Sequence, residues 1–376
     1  MKQVDFVSHS NSNGVWRGPS YGKYYSDDCY AAGFDYPAGY DWRADSKNGA
    51  VKCSLVMFAD GIPVLKIPVG DAYEVSFDSS RHRVLSGCMY TDYTDGRTTV
   101  IKKDGIELIR YEGAEEVVSM IADGYDVHSL SVPCDSSGFV YRVNGTAVVE
   151  RTGGVLESAL TLSDGKVAFC FSQKSMSASG SSVRYYKVVD GKVTYVELDD
   201  DIETVLDVCM CEGKFCMMAI TGDSTLPVLI RDGMRRTIPY LMIADMVSCK
   251  FVESESICIR FRYRQSYSGN ISEHLWFGDN SWKRFDDSYL LSAVAVCDGI
   301  CHAVANPTGD RWGMIYSGDD EYLMPEDYYM YGENCVAFRN NGLYVGLSSR
   351  SGCFPVIWTC DGLDTLDING PLTFLR

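Results

Sequence analysis

Five carboxylates spaced along the chain are the first residues with chemistry in reach. Glu74, Asp78, Glu116, Glu157 and Asp207 each fall in or beside a short apolar run. Two such acids held roughly 5–10 Å apart across a sugar ring make a glycosidase pair, one donating a proton while the other attacks or activates water. Acids adjacent in sequence (Glu115-Glu116, Asp286-Asp287, Asp319-Asp320, Glu326-Asp327) are not dyads in themselves, because neighbours on a strand point to opposite faces. The run Asp199-Asp200-Asp201 offers oxygen ligands of the kind Ca²⁺ takes, but it lacks a regular loop pattern and reads as a solvated acidic turn.

A second set of residues is suited to recognition rather than reaction. Tyr40, Trp42, Tyr93, Tyr263, Arg264, Tyr267, Arg311 and Trp312 stand in polar stretches beside Asp41, Asp92 and Asp310. Aromatic rings flanked by carboxylates and guanidinium groups suit sugar rings and protein hot spots equally. These eight are the candidate binding residues. The bland alternative is that such tyrosines pack against their own strands.

Metal and cofactor chemistry finds little support. His9, His82, His128, His274 and His302 are scattered. A turn at Glu212-Gly213 makes Cys209 and Cys216 direct cross-strand partners, with Cys211 nearby, but no fourth ligand is close in sequence. There is no Gly-x-Ser-x-Gly, no phosphate-binding loop, no His-Glu-x-x-His and no Gly-x-Gly-x-x-Gly after a strand. No catalytic residue, metal or cofactor is therefore assigned. The 15 cysteines fall mostly within apolar strands and read as buried, reduced thiols, which favours a cytoplasmic or anaerobic setting, with the cell surface as the alternative. With 51 acidic and 34 basic residues the net charge is −17, which argues against nucleic acid and anionic membranes as partners. No apolar run is long enough to span a bilayer, and Met1 to Phe6 lack the apolar core of a signal peptide.

What must position these residues is a repeat. Asp-Gly, Asn-Gly or a close variant recurs at Asp60-Gly61, Asp104-Gly105, Asn144-Gly145, Asp190-Gly191, Asp232-Gly233, Asp279-Asn280, Asp319-Asp320 and Asp361-Gly362. Such pairs between alternating apolar runs mark two-residue hairpins, since both central residues must tolerate positive φ. A second class of tight turn alternates with the first, at Asp123-Gly124, Asp164-Gly165, Glu212-Gly213, Asp298-Gly299 and Asn341-Gly342. Four short strands then fill each repeat of forty-odd residues, the signature of a propeller. The expectation is an all-β fold, a single closed β-propeller of eight four-stranded blades over 28–376, with seven blades as the alternative. Residues 1–27 are left as an extension. The strand near 372–375 is expected to join the first blade and close the ring, which removes an exposed sheet edge.

Turn lengths point to a working face. In a four-stranded meander the 1–2 and 3–4 turns share one face, and these are tight. The 2–3 connections, at 35–49, 91–97, 133–138, 172–182, 262–270 and 306–311, are longer and share the other face. Function concentrates on such loops when a rigid scaffold holds them. All eight candidate binding residues lie in or beside these connections.

The units Tyr141-Arg142-Val143-Asn144-Gly145, Trp276-Phe277-Gly278-Asp279, Tyr316-Ser317-Gly318-Asp319 and Trp358-Thr359-Cys360-Asp361-Gly362 share an aromatic three residues ahead of the Asn or Asp of the turn. In this the chain resembles propeller repeat proteins frequent in Bacteroidetes. The resemblance implies the propeller and carries no activity with it. The expected function is a non-catalytic binding or scaffolding propeller that recognises a protein or glycan through its 2–3 face. The alternative is a glycan-active enzyme whose acids, drawn from the five above, line the central channel.

Overall fold

The structure, a computed structural model, describes residues 30–35, 53–59, 62–69, 82–85, 88–94, 96–177, 180–211, 213–222, 226–238, 246–252, 257–264, 271–278, 281–285, 289–297, 300–307, 313–324, 328–330, 336–339, 342–349, 355–359, 362–365 and 372–374. In the Asp-Gly pairs both residues take the left-handed backbone that the turn demands. Asp104 and Gly105 have φ 49° and 80°, Asn144 and Gly145 50° and 81°, Asp190 and Gly191 47° and 74°, Asp232 and Gly233 44° and 83°. Two positive φ values in a two-residue loop twist the hairpin the same way as its strands. Elsewhere the glycine, not the aspartate, sets the turn. Gly318 (φ 62°) makes the central pair Gly318–Asp319, not Asp319-Asp320, because Ser317 pairs with Asp320. Gly124 likewise leads Gly124–Tyr125 between paired Asp123 and Asp126. Gly342 and Gly362, expected as turn residues, are instead the first residues of strands, paired with Arg339 and Thr359. The turns at Asp60-Gly61 and Asp279-Asn280 lie outside the described residues.

Among the described residues the chain is all-β, without helix, and its strands sort into eight antiparallel sheets of four or five strands. The first sheet holds β1 (Tyr30–Asp35), β2 (Cys53–Ala59) and β3 (Ile62–Val69). The second holds β4 (His82–Leu85), β5 (Cys88–Thr94), β6 (Thr98–Lys103) and β7 (Ile106–Glu112). The third holds β8 (Glu115–Asp123), β9 (Asp126–Pro133), β10 (Gly138–Val143) and β11 (Thr146–Thr152). The fourth holds β12 (Gly154–Leu156), β13 (Thr161–Ser163), β14 (Lys166–Ser177), β15 (Gly180–Val189) and β16 (Lys192–Val196). The fifth holds β17 (Ile202–Cys211), β18 (Lys214–Thr221), β19 (Val228–Arg231) and β20 (Met234–Thr237). The sixth holds β21 (Met246–Val252), β22 (Cys258–Arg264), β23 (Ile271–Phe277) and β24 (Trp282–Arg284). The seventh holds β25 (Tyr289–Cys297), β26 (Ile300–Pro307), β27 (Met314–Ser317) and β28 (Asp320–Leu323). The eighth holds β29 (Tyr328–Met330), β30 (Val336–Arg339), β31 (Gly342–Ser349), β32 (Pro355–Thr359) and β33 (Gly362–Thr365). The last strand, β34 (Leu372–Phe374), returns to pair with β1 through Ala31↔Phe374 and Gly33↔Leu372. The arrangement is propeller-like.

Three stretches expected as loops are strand instead. Residues 91–94 belong to β5 and 262–264 to β22. The Ser- and Gly-rich stretch 172–182 is mostly a paired hairpin, running from Ser172↔Tyr185 to Ser177↔Gly180. Its composition is that of a loop, but regular pairing satisfies its backbone groups.

The first strands of the third and fifth to seventh sheets are bulged. Register shifts fall between Val117 and Ser119, Val205 and Asp207, Met246 and Ser248, and Leu291 and Ala293. The fourth sheet goes further. Its inner strand is broken into β12 and β13, and in the gap the Glu157 and Ser158 amides both donate to the Cys170 carbonyl, at 3.1 and 3.3 Å. A bulge re-aims a side chain and bends its strand.

The core lies in the seams between consecutive sheets. Between the third and fourth, Leu130, Phe139, Tyr141, Phe169 and Phe171 form an aromatic layer, with Phe139 and Phe169 edge to face at 5.8 Å. Between the fifth and sixth the layer is sulfur-rich, with Cys209, Cys216, Met218 and Cys249 against Phe251, Phe261 and Trp276. The turns clip the seams from outside. A Cβ added at Gly191 would lie 2.6 Å from Val148 of the preceding sheet, and one at Gly145 2.7 Å from Ile109. Farther along, Arg236 donates to the Gly278 carbonyl and Lys283 to the Gly318 carbonyl.

Candidate functional site

Strands β14 and β15 run 12 and 10 residues, longer than the 8 of β18 or the 7 of β22. Because β16 pairs only with residues 185–189 and β12 and β13 reach no farther than Gln173, the outer part of this hairpin is paired only to itself. It extends past its sheet at the 2–3 end, and Lys174, Ser182, Val183 and Arg184 on it are exposed.

Two of the five sequence-predicted carboxylates, Glu157 near the base of this arm and Asp207 on the next sheet, lie within reach of each other's charge. Ser172, which pairs with Tyr185 where the arm begins, donates its hydroxyl to Glu157 Oε1 at 2.5 Å. Glu157 occupies the gap between β12 and β13, so the break in the inner strand is what presents it. Asp207 comes from the next sheet, directly after the β17 bulge. Its Oδ2 accepts the Phe251 amide at 2.7 Å and its Oδ1 the Lys250 ammonium at 3.0 Å, both from β21 of the sixth sheet. Its side chain is 12% exposed, that of Lys250 46%.

The electrostatics tie the acids together. Burial raises the Asp207 carboxyl above the usual aspartate value, opposed by Lys250 and the Phe251 amide. Burial likewise raises Glu157; the Ser172 hydroxyl opposes this, and the charge of Asp207 adds to it. Tyr185 is pushed up to about 12 by burial and then by both carboxylates. Buried Cys170 is pushed up as well, by burial first. Both carboxyls are thus raised by burial, with the Lys250 ammonium bonded to Asp207 and the Ser172 hydroxyl to Glu157.

The other predicted residues are placed as follows. Glu116 is half-buried, and the buried acid at this end of β8 is its neighbour Glu115. Glu74 and Asp78 lie outside the described residues, as do Tyr40, Trp42, Tyr267, Arg311 and Trp312. Tyr93 and Tyr263 are half-buried near the ends of β5 and β22, and Arg264 is exposed beside Tyr263. The Lys102 ammonium stands 4.7 Å from the Tyr93 ring centre, and the Tyr263 hydroxyl bonds His274 Nε2 at 2.6 Å. The run Asp199-Asp200-Asp201 is not simply solvated: Arg235 clasps Asp199 and Asp201 at 2.5 and 2.6 Å, and its hydrogen bonds hold the Asp201 carboxyl low. His128 bonds the Tyr141 hydroxyl at 2.7 Å. His302 bonds Ser317 at 3.1 Å, and burial lowers its pKa to about 4. Cys209 and Cys216 are cross-strand partners, and Cys170, Cys209, Cys216, Cys249, Cys258 and Cys301 are buried. Among the described residues no group of three or more His, Cys, Asp or Glu is arranged to hold a metal, and no helix is long and apolar enough to cross a membrane.

Sequence reasoning passed over the ion pair of Glu115 and Arg142. Its two oxygens take the two guanidinium nitrogens at 2.5 and 2.8 Å, and Ser131 adds a third bond. The signal was present: Arg142 is a lone charge inside the apolar run Phe139-Val140-Tyr141-Arg142-Val143, and an Arg so placed needs a buried partner.

No protein-family model and no curated protein matches the chain. Among solved structures it is similar to a eukaryotic initiation factor structure, at 11% identity and TM-score 0.44, over 93% of this chain and 98% of that one. It is similar at 8% identity and TM-score 0.44 to the dihydro-heme d1 dehydrogenase NirN in complex with DHE, over 100% of this chain and 78% of that one. Drosophila Semaphorin 1b, extracellular domains 1-2, matches at 9% identity and TM-score 0.29, over 100% and 87%.

Proposed function

We propose that the chain closes as one β-propeller of eight blades and serves as a non-catalytic scaffold that holds a protein or glycan partner on its 2–3 face. The β34–β1 pairing supports closure, since it joins the last strand to the first sheet. In this reading the aromatic repeat units belong with the propeller repeats frequent in Bacteroidetes, and 1–27 is an extension outside the ring. The arm of β14 and β15 is the observation that carries the choice of face: it projects from the 2–3 end, where Tyr93, Tyr263 and Arg264 also stand. By their sequence positions alone, this reading assigns Tyr40, Trp42, Tyr267, Arg311 and Trp312 to the same set of connections. The test is a glycan array together with crosslinking capture, repeated with Trp42→Ala, Trp312→Ala and a variant whose arm is cut back to a two-residue turn. Ligands recovered by the native chain should bind these variants about tenfold more weakly or worse, at unchanged melting temperature. Binding unaffected by all three changes overturns the choice of face.

A second reading is favoured by one specific observation, two carboxyls raised by burial on adjacent sheets, Glu157 feeling the charge of Asp207. It is a glycan-active enzyme in which one acid donates a proton and the other acts as base or nucleophile. Here Glu157→Gln and Asp207→Asn should each abolish turnover of any glycan the native chain degrades, without unfolding it. Turnover that survives both changes removes this reading and leaves the first intact.

A further inference from the structure

We propose that the outer edge of β15 is a docking strand: residues 180–184 take up an extended acidic segment of a protein partner, which adds to the arm as a further strand. This deepens the reading of the 2–3 face as a partner-holding surface and rests on it. The arm is longer than its sheet needs. β16 stops pairing at Tyr185↔Val196, while β14 and β15 continue to Ser177↔Gly180 without a bulge. Ladder bonds alternate along an antiparallel strand, so a pair that flanks a two-residue turn fixes their phase. Val189↔Lys192 flanks the turn at Asp190-Gly191, so residues 189, 187 and 185 of β15 bond to β16. The same alternation turns the amides and carbonyls of Val183 and Ser181 outward, past the end of β16. Those of Ser182 and Arg184 point to β14. Among the described residues no strand takes up the outward groups.

An open edge of this kind invites another strand, and folded proteins blunt theirs with proline, a bulge or an inward-pointing charge. Gly180-Ser181-Ser182-Val183 has no proline, no bulge and no charged residue. Alternating N–H and C=O groups at strand spacing are complementary to a polypeptide backbone and not to a sugar ring. Charge selects the partner further. Between Asp164 and Asp190 the chain has Lys166, Lys174, Arg184 and Lys187 and no acid, although its net charge is −17. Lys174 and Arg184 are exposed and form no ion pair with a described residue. Lys174 pairs with Val183 and Arg184 with Gln173, so the two cations stand on opposite faces of the arm. An added strand alternates its side chains between the same two faces, and carboxylates on either one meet a cation. Repulsion from the rest of the acidic chain fades within about 8 Å at physiological salt, and the arm projects.

The test uses the full chain and a short fluorescent peptide of alternating Glu and Thr. Its comparison probes are the same peptide N-methylated at every backbone amide, the counterpart with Gln for Glu, and polygalacturonate. The parent peptide should bind, and both altered peptides should bind at least about tenfold more weakly. In the complex, amide exchange at Ser181 and Val183 should slow roughly tenfold, with Ser182 and Arg184 little changed. Val183→Pro removes an outward amide and spares the ladder to β14, as proline does on an edge; Arg184→Glu reverses a charge. Each should weaken the parent peptide about tenfold. Should Val183→Pro disorder the arm, seen as lost protection at Ser182 and Arg184, the N-methylated peptide on the native chain still decides. Strand docking is overturned by equal binding of parent and N-methylated peptides, by no binding of the parent, or by protection gained elsewhere than at Ser181 and Val183. Unchanged affinity in Arg184→Glu overturns the acidic partner. Polygalacturonate binding that Trp312→Ala abolishes, without binding of the peptide, keeps the 2–3 face and rejects its docking strand.

Discussion

The junction of the third and fourth sheets and that of the fifth and sixth are built to one plan and filled differently. Each has a bulged inner strand whose next residue accepts an amide from the neighbouring sheet, over a buried apolar layer. In the first junction the acceptor is Ser119, 1% exposed, and the layer is aromatic. In the second the acceptor is Asp207, and the layer is rich in cysteine and methionine, whose polarisable side chains adapt to irregular gaps. The difference teaches what the fold requires and what it only tolerates. A hydroxyl meets the requirement at one junction, so the carboxylate at the other is not explained by folding. A buried acid whose pKa is raised destabilises the folded state at neutral pH, and such groups concentrate at functional sites.

Moving the charge from one junction to the other is the most damaging way to break this comparison. Ser119→Asp would bury a carboxylate beside Leu160 with Ala159, not a lysine, as the preceding residue. An uncompensated buried charge costs about 5 kcal/mol at neutral pH. Urea unfolding at neutral and acid pH checks it: the loss should be largest at neutral pH and shrink as the new acid is protonated. A variant as stable as the native chain at both pH values would show that the two junctions do not differ in tolerance for charge.

Next in size is the aromatic layer itself. Phe169 is fully buried and touches the rings of Phe139 and Tyr141 at 5.8 and 5.3 Å. Phe169→Ala leaves a cavity between sheets that can close only by moving whole sheets, and should cost about 3–4 kcal/mol in denaturant unfolding. Met218→Ala at the sulfur-rich junction should cost less, about 2–3 kcal/mol, because flexible neighbours can fill the space. Equal losses at the two positions would mean that the layers do not differ in rigidity.

How much of this was legible depended on where the determinant lies. The turns were legible because positive φ is a property of one or two residues, and Asp104-Gly105 or Asn144-Gly145 announce it locally. They were misread by one residue where a glycine one place earlier took over, as at Gly318. The strands after the turns were legible from alternation, and so was the pairing of Cys209 with Cys216, which follows from the turn between them. The arm was not, since residues 172–182 are Ser-rich and only long-range pairing makes them strand. Inner-strand bulges have no local marker either: Val205-Leu206-Asp207 reads as plain strand. That is why Glu157 and Asp207 could be nominated one by one as inner-strand acids, while their burial, and the choice of Glu115 over Glu116 as the buried acid, needed three dimensions.

The smallest expected effect is the most discriminating. Asp207→Ser puts at the fifth–sixth junction the residue that the third sheet uses, and keeps an acceptor for the Phe251 amide. The sign follows from linkage. The folded-state pKa of Asp207 is raised above 3.8, so between that value and the raised one the folded chain holds more protons than the unfolded chain. Stability contributed by the neutral acid is therefore fully present below the ordinary carboxyl range and is lost as pH rises through the raised value. The serine variant has no such dependence. It should be more stable than the native chain by about 1 kcal/mol at neutral pH, with the advantage shrinking toward acid as the native aspartate becomes neutral. Urea midpoints at two pH values measure this directly. If the native chain is instead the more stable at neutral pH, and its lead grows as pH rises, the attraction between Lys250 and Asp207 outweighs burial. The carboxylate would then be a structural ion pair, and the two junctions would differ only in how they achieve the same strength.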